Sequence, residues 1–328
     1  MRSPVQFSIR QETLSGLDVI TVKNNLTHEY FSVLPSSGAR LRELNLSNGS
    51  IALPVLRTIM DPRSKNREDI FTNAKLSPFA GRVKEGRYSI GNTSYQLPLN
   101  YPEEENACHG FVYDKQFTVV RSEVLNDRAV CFLNYDYQGE LAGYPFRYSL
   151  EIIYMLGISG EFICETRIVN RSGSPIPVSD GWHPYFDIDE PVDDLQLSLE
   201  VDSMMELNGK NIPTGKMDSY SKFSRPETLY SQHFDSCFHV KGSNGIASTR
   251  IISSRNDTAL TIWQETGPKK YNYLVLYTPL DRRSIAIEPM TSNVNAFNNG
   301  EGLIMLEPGE DLRLRFGITM TSNSSHHH

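Results

Sequence analysis

Along most of this chain apolar and polar side chains alternate with a period of two, and a sustained helical period is hard to find. Phe146, Tyr148, Leu150 and Ile152 alternate with Arg147, Ser149 and Glu151. Near the end, Leu312, Leu314, Phe316, Ile318 and Met320 alternate with Arg313, Arg315, Gly317 and Thr319. Successive side chains of a strand point to opposite faces, so both segments predict antiparallel strands buried on one face and wet on the other. Gly91-Asn92, between Tyr88-Ser89-Ile90 and Thr93-Ser94-Tyr95, has the length and the glycine that close a two-residue hairpin. Asn170-Arg171-Ser172-Gly173 and Glu307-Pro308-Gly309-Glu310 punctuate later strands in the same way. Many short strands separated by turn signals predict an all-β protein, a large antiparallel β-sandwich with few short helices. No composition shift, linker or repeat marks a boundary, so residues 1–325 are expected to form a single domain. His326-His327-His328 reads as the remnant of an expression tag.

Composition narrows the partners. With 328 residues, 39% of them hydrophobic, the chain can bury a sizeable core. Its 32 basic and 39 acidic residues give a formal charge of −7, and the basic ones are scattered. A nucleic acid or an anionic membrane surface calls for a basic stripe to neutralise phosphates, so neither is an expected partner. No apolar run approaches the ~20 residues of a membrane span, and Met1-Arg2-Ser3-Pro4-Val5-Gln6 lacks the apolar core of a signal peptide. Cys108, Cys131, Cys164 and Cys237 form no Cys-x-x-Cys pair, and buried free thiols in a reducing, cytoplasmic setting are the plain reading. A glycine-rich phosphate loop is absent, which weighs against nucleotide cofactors.

Several segments have the residue types of a catalytic site. Trp182-His183-Pro184-Tyr185-Phe186 sets a histidine before proline, where the backbone is pushed to extended geometry and the side chain gets a fixed direction. The aromatics around it offer a flat surface for the C–H face of a sugar, though an aromatic core patch with a bonded histidine reads as well. Ile285-Ala286-Ile287-Glu288-Pro289-Met290 puts one carboxylate in an apolar strand, where burial raises its pKa and suits it to act as a base; a structural ion pair competes with that reading. His109, before Gly110, and Arg82, after Phe79-Ala80-Gly81, are candidates to hold hydroxyls, while an arginine is more often a surface ion pair. Glu103-Glu104-Glu105 reads as a solvated charge run. His233, Asp235 and His239 share parity and would fall on one strand face, but a lone strand makes a poor metal site, and Asp235 accepting from sugar hydroxyls is the preferred reading.

Taken in order, Gly81-Arg82, Trp182-His183-Pro184-Tyr185-Phe186, Glu288-Pro289-Met290-Thr291 and Leu306-Glu307-Pro308-Gly309-Glu310 resemble the aldose 1-epimerase, or galactose mutarotase-like, family. The resemblance implies a supersandwich with a cleft on one sheet, Glu288 as base, His183 as acid, and Arg82, His109 and Asp235 holding the sugar. It implies no metal and no organic cofactor, and an activity that exchanges the α and β anomers of a free hexose. Two positions depart from the family pattern: Phe111 stands where a second glycine is common, and Val275 where many galactose-active members carry glutamine. Three rivals remain. A hexose-6-phosphate 1-epimerase would grip phosphate with Arg82, Lys84 and Arg87; a glycoside hydrolase would pair Glu288 with Asp235; a carbohydrate-binding module would bind without turnover.

Overall fold

The computed structural model describes residues 6–59, 61–64 and 69–323, so the tag and the two ends of the expected 1–325 unit lie outside the described residues. A nine-stranded antiparallel sheet is centred on Tyr148–Gly157, Phe162–Asn170 and Asp311–Ser322. Here the alternation does what the pattern predicts. Leu150, Ile152, Leu314, Phe316 and Ile318 are fully buried. The opposite face carries cross-strand ion pairs, Arg313–Glu165 at 3.0 Å and Arg167–Asp311 at 2.8 Å. Gly317 falls out of step for a steric reason: a Cβ there would come within 2.5 Å of the Trp263 ring, which lies across it.

The sheet that carries most of the candidate site has eight strands. Seven are β1 (Ala74–Leu76), β2 (Gly181–His183), β3 (Val201–Leu207), β4 (Pro213–Ser219), β5 (Asp235–Val240), β6 (Tyr273–Tyr277) and β7 (Ile285–Met290). They lie in the order β4-β3-β5-β6-β7-β2-β1, and the short strand Tyr185–Phe186 also pairs with β7. A third sheet of five strands is formed by residues 7–54 and packs on the nine-stranded one through Phe31, whose ring meets Phe162 edge-on at 5.4 Å. Trp182 ties the functional sheet to the large one, with its ring 5.9 Å from Phe316 and its indole N–H donating to Thr166 at 3.2 Å.

The predicted hairpin forms between Arg87–Ile90 and Thr93–Gln96, with Gly91 at φ 56°. Helix is confined, among the described residues, to a 3-10 turn at Val192–Asp194 and one turn at Ala296–Asn299. No described helix is long and apolar enough to cross a membrane. All four cysteines are buried and free, and burial pushes the thiols of Cys108, Cys131 and Cys237 up to about 12.

Candidate active site

Strands β5, β6, β7 and β2 form the floor of a cavity of about 410 Å³. Their register lays side chains out in rows, because cross-strand partners share a face. Glu288 on β7 stands opposite Val275 on β6, and Val275 opposite Cys237 on β5. One row along, Asp235 stands opposite Tyr277. Glu288 thus stands on an interior strand of the sheet, paired across to Val275, and only 2% of it is exposed.

His183 enters from β2, and its Nε2 lies 3.3 Å from Glu288 Oε1. Its ring is stacked on Tyr185 at 4.8 Å and 13°, the geometry that an intervening proline gives two side chains of an extended segment. The His183 carbonyl accepts from the Asn73 N–H, and the Tyr185 N–H donates to Asn73 Oδ1, both at 2.9 Å. Asn73 takes φ 53°, a left-handed conformation that asparagine tolerates better than most residues, and thus clamps both ends of the His183-Pro184-Tyr185 segment. Under β2, Lys75 and Asp180 form a fully buried ion pair, the Lys75 ammonium also donating to the Gly181 carbonyl at 3.2 Å and Tyr271 Oη to Asp180 at 3.0 Å.

Burial shifts the two central groups in opposite directions. Desolvation raises the Glu288 carboxyl well above the usual range, with Asp235 adding to the rise and Arg82 opposing it. Desolvation lowers His183 to about 3, against its own backbone and with Arg82 helping. Each shift favours the uncharged form, so burial favours a pair that holds one titrating proton between them. Glu288 Oε2 and His183 Nδ1 are buried with no hydrogen-bond partner among the described residues.

His109 follows the short strand Asn106–Cys108 in a left-handed turn at φ 63°. Gly110 behind it must be glycine: φ is 69°, and a Cβ would fall 2.1 Å from the Ser77 carbonyl oxygen. The Gly81 N–H donates to His109 Nδ1 at 3.3 Å, which leaves the proton of the neutral ring on Nε2 and makes that nitrogen a donor. Burial first, then His183 and Arg82, push His109 well below its ordinary value, so it stays neutral.

Arg82 lines the cavity, but its charge is already answered: Nε and Nη2 donate to Glu104 Oε2 and Oε1 at 2.6 and 3.3 Å. The charge-run reading is therefore corrected for Glu104, which turns inward to this pair while Glu103 and Glu105 remain exposed. Three like residues in a row give no signal of which one is turned in. Lys84 and Arg87 are exposed and do not line the cavity. Asp235 lines it at the exposed start of β5, with one oxygen accepting from Asn211 at 3.0 Å. Of the shared face expected for His233, Asp235 and His239, Asp235 and His239 do lie on one face of β5, with His239 beyond the cavity and bonded to Asp202 at 3.1 Å; the expectation is corrected for His233, which lies before the strand, 3.5 Å from Arg282. The cavity thus brings together Glu288, His183, His109, Arg82 and Asp235, and adds Glu104, Tyr101, Tyr185 and Tyr277.

A sequence model of the family described as aldose 1-epimerase matches residues 18–319. The chain belongs to the aldose 1-epimerase family. Among relatives, the uncharacterized protein YihR of Escherichia coli (strain K12) is 24% identical over 304 residues, covering 88% of this chain and 90% of that protein. Galactose mutarotase of Mus musculus is 23% identical over 217 residues, covering 58% of this chain and 61% of that protein. Among solved structures, a galactose mutarotase-like protein from Clostridium acetobutylicum superposes with a TM-score of 0.83 at 21% identity, over 97% of this chain and 99% of that one. Galactose 1-epimerase from Lactobacillus acidophilus gives 0.78 at 20% identity, over 96% and 98%. At such identities the structural likeness speaks for the fold, and this aldose 1-epimerase family member has the expected large antiparallel sandwich.

Proposed function

We propose that this protein is an aldose 1-epimerase that exchanges the α and β anomers of a free, uncharged hexose. The observation that carries the reading is the 3.3 Å contact between Glu288 and His183, both buried, in the wall of a sugar-sized cavity. Anomer exchange breaks the C1–O5 bond and re-forms it on the other face of C1. Glu288 takes the proton of the anomeric hydroxyl as His183 protonates O5; after rotation about C1–C2 the two exchange roles for closure. Glu288 acts as base only while the shared proton sits on His183, so the pair must pass from its uncharged form to its ionic tautomer when the sugar enters. A hydroxyl that donates to Glu288 and a ring oxygen that accepts from His183 favour that tautomer. Each positioned acid or base typically contributes ~10²–10⁴ in rate. His109 Nε2–H and Asp235 supply a donor and an acceptor for further hydroxyls, and Tyr185 and Tyr277 give the ring an aromatic wall.

A phosphorylated sugar fits the cavity poorly. Arg82 is neutralised by Glu104. Asp235 adds a carboxylate to the lining, and the other two cations of the phosphate hypothesis lie elsewhere. A hydrolase that pairs Glu288 with Asp235 is less well supported, because it leaves the buried imidazole of His183, 3.3 Å from Glu288, without a role. Polarimetry on freshly dissolved α-glucose, α-galactose and glucose 6-phosphate tests the reading. Wild type should speed the approach to the unchanged final rotation of a neutral hexose, with Glu288→Gln and His183→Asn each at least about 10²-fold slower. Sugar binding without acceleration would leave a binding module, and acceleration confined to the phosphate ester would replace the substrate class.

A further inference from the structure

Arg82 is held more firmly than a surface arginine, and the residue that holds it, Glu104, takes no part in the proposed proton exchange. Nε and Nη2 of Arg82 fork onto the two oxygens of Glu104, with the side chains only 13% and 17% exposed. Such a fork is the strong form of ion pair. It uses two of the five N–H bonds of the guanidinium, and the other three have no partner among the described residues. The turn that carries Glu104 aims it at this partner. Tyr101 and Asn106 close the turn with two backbone hydrogen bonds at 3.1 Å, and the Glu104 N–H donates to the Tyr101 carbonyl at 3.2 Å. Glu105 takes φ 58° and pairs outward with Lys210, whose carbonyl accepts from the Asn106 side-chain amide at 3.1 Å. Glu104 is left facing the cavity. The Tyr101 ring lies 5.7 Å from the Arg82 guanidinium and stacks on Phe71 at 6.1 Å, so an aromatic support backs the pair.

This pair sets the charge of the cavity. With Glu288, His183 and His109 held toward their neutral forms, Arg82 brings one positive charge to the wall, and Glu104 and Asp235 bring one negative charge each. The lining is thus one unit negative. An anionic sugar meets a carboxylate beside the one cation that lines the cavity among the described residues. In a partly buried site that repulsion is stronger than in water. A neutral sugar escapes it, and the three remaining N–H bonds of Arg82 can still donate to hydroxyls. Without the Glu104 charge the wall would be balanced, and the guanidinium would present an open fork of the kind that binds carboxylates and phosphates. A repulsive element of this sort separates ligands that attractive contacts alone would treat alike.

We infer that Glu104 is the specificity-determining residue that confines this cavity to uncharged hexoses, by filling the Arg82 fork with a carboxylate of the protein's own. The inference rests on the proposed function only for the ligand being a hexose. Calorimetry with glucose and glucuronate, which differ only at C6, tests it on wild type, Glu104→Gln and the double variant Arg82→Gln/Glu104→Gln, with polarimetry alongside. Wild type should bind glucose about tenfold or more tightly than glucuronate. Glu104→Gln should shift that ratio about tenfold toward glucuronate, with a glucuronate affinity that falls as salt is raised. The double variant restores the wild-type charge and removes the fork, so its ratio should return. A merely structural Glu104 would weaken both sugars together and leave the ratio alone. Equal affinities in wild type, an unchanged ratio in Glu104→Gln, or a gain that persists in the double variant each overturn the inference, even if glucose is epimerised. The expected ratios in a protein that accelerates no sugar uphold it and discard the proposed reaction.

Discussion

Burial holds Glu288 and His183, the proposed acid/base pair, toward their uncharged forms, and this makes the stability of the fold depend on pH. The Glu288 carboxyl is raised by burial, so above the ordinary carboxylate range the folded chain holds a proton that the unfolded chain has released. Stability from this group falls as pH climbs from that range to the raised value. His183 has the opposite sign: lowered to about 3, it leaves the folded chain short of a proton the unfolded chain gains below about 6.5, so stability falls as pH drops through that window. Gln at 288 mimics the neutral carboxyl and titrates nowhere. Glu288→Gln should therefore melt higher than wild type, by more at pH 8 than at pH 4, while losing activity; an advantage that is constant with pH would mean that Glu288 is ionised in the fold. The same shifts set the rate profile. kcat/KM requires one proton on the pair, so its acid limb should lie near the lowered His183 value of about 3, far below a free imidazole, and its basic limb above the ordinary carboxylate range. An acid limb near 6.5, after subtraction of the uncatalysed rate, would contradict the burial argument. At this scale the chain announces much of its site, because a histidine or carboxylate before proline, or a histidine before glycine, constrains backbone in a readable way. Glu104 is silent: only the fold turns it and not its neighbours toward Arg82.

Strands carry those residues to one another, and their placement depends on small connections. β2 is three residues long, too short to fix His183 by its own ladder, and Asn73 supplies what it lacks. Asn73→Ala removes an acceptor to the Tyr185 N–H and a donor to the Arg57 carbonyl, each at 2.9 Å, and a buried group left unpaired costs about 1–3 kcal/mol. Asn73→Ala should lower kcat by about 10- to 100-fold with KM nearly unchanged, since it moves a proton donor and touches no sugar. Asn73→Asp keeps the acceptor for the Tyr185 N–H but sets a buried carboxylate oxygen against the Arg57 carbonyl, so it should recover the loss only at acid pH, where that carboxyl is protonated. Equal losses for both variants at every pH, or a loss confined to KM, would count against the clamp. Period-two alternation shows the long strands plainly, because each has one wet face. It says little about β1, β2 and β7, buried on both faces, where apolar runs give no parity to read. Glu288 and His183 of the candidate site stand on two of those strands, so the residue types stood out in the sequence while the scaffold joining them did not.

Across the whole molecule, the question is whether the functional sheet and the nine-stranded sheet stand or fall together. Trp182 is the joint: it leaves β2, packs on Tyr154 and Phe316 of the large sheet, and donates to Thr166 there. Beneath it, the buried Lys75–Asp180 pair links β1 to the segment entering β2, across 105 positions of sequence, with the Lys75 ammonium 4.7 Å over the Trp182 ring. Breaking such a pair by removing one partner leaves a buried charge, typically a loss of about 3–5 kcal/mol, so the pair fixes the base from which Trp182 reaches the large sheet. We propose that they form one cooperative unit. The two tryptophans report on it separately, Trp263 from the large sheet and Trp182 from the functional one. In Trp182→Phe and in Trp263→Phe, the remaining fluorescence should follow the same urea curve as far-ultraviolet circular dichroism measured on the same variant. A Trp182 signal lost at lower urea than the circular dichroism, with a second transition carried by Trp263, would divide the chain into two folding units and make the catalytic face a separable layer on a sturdier sandwich.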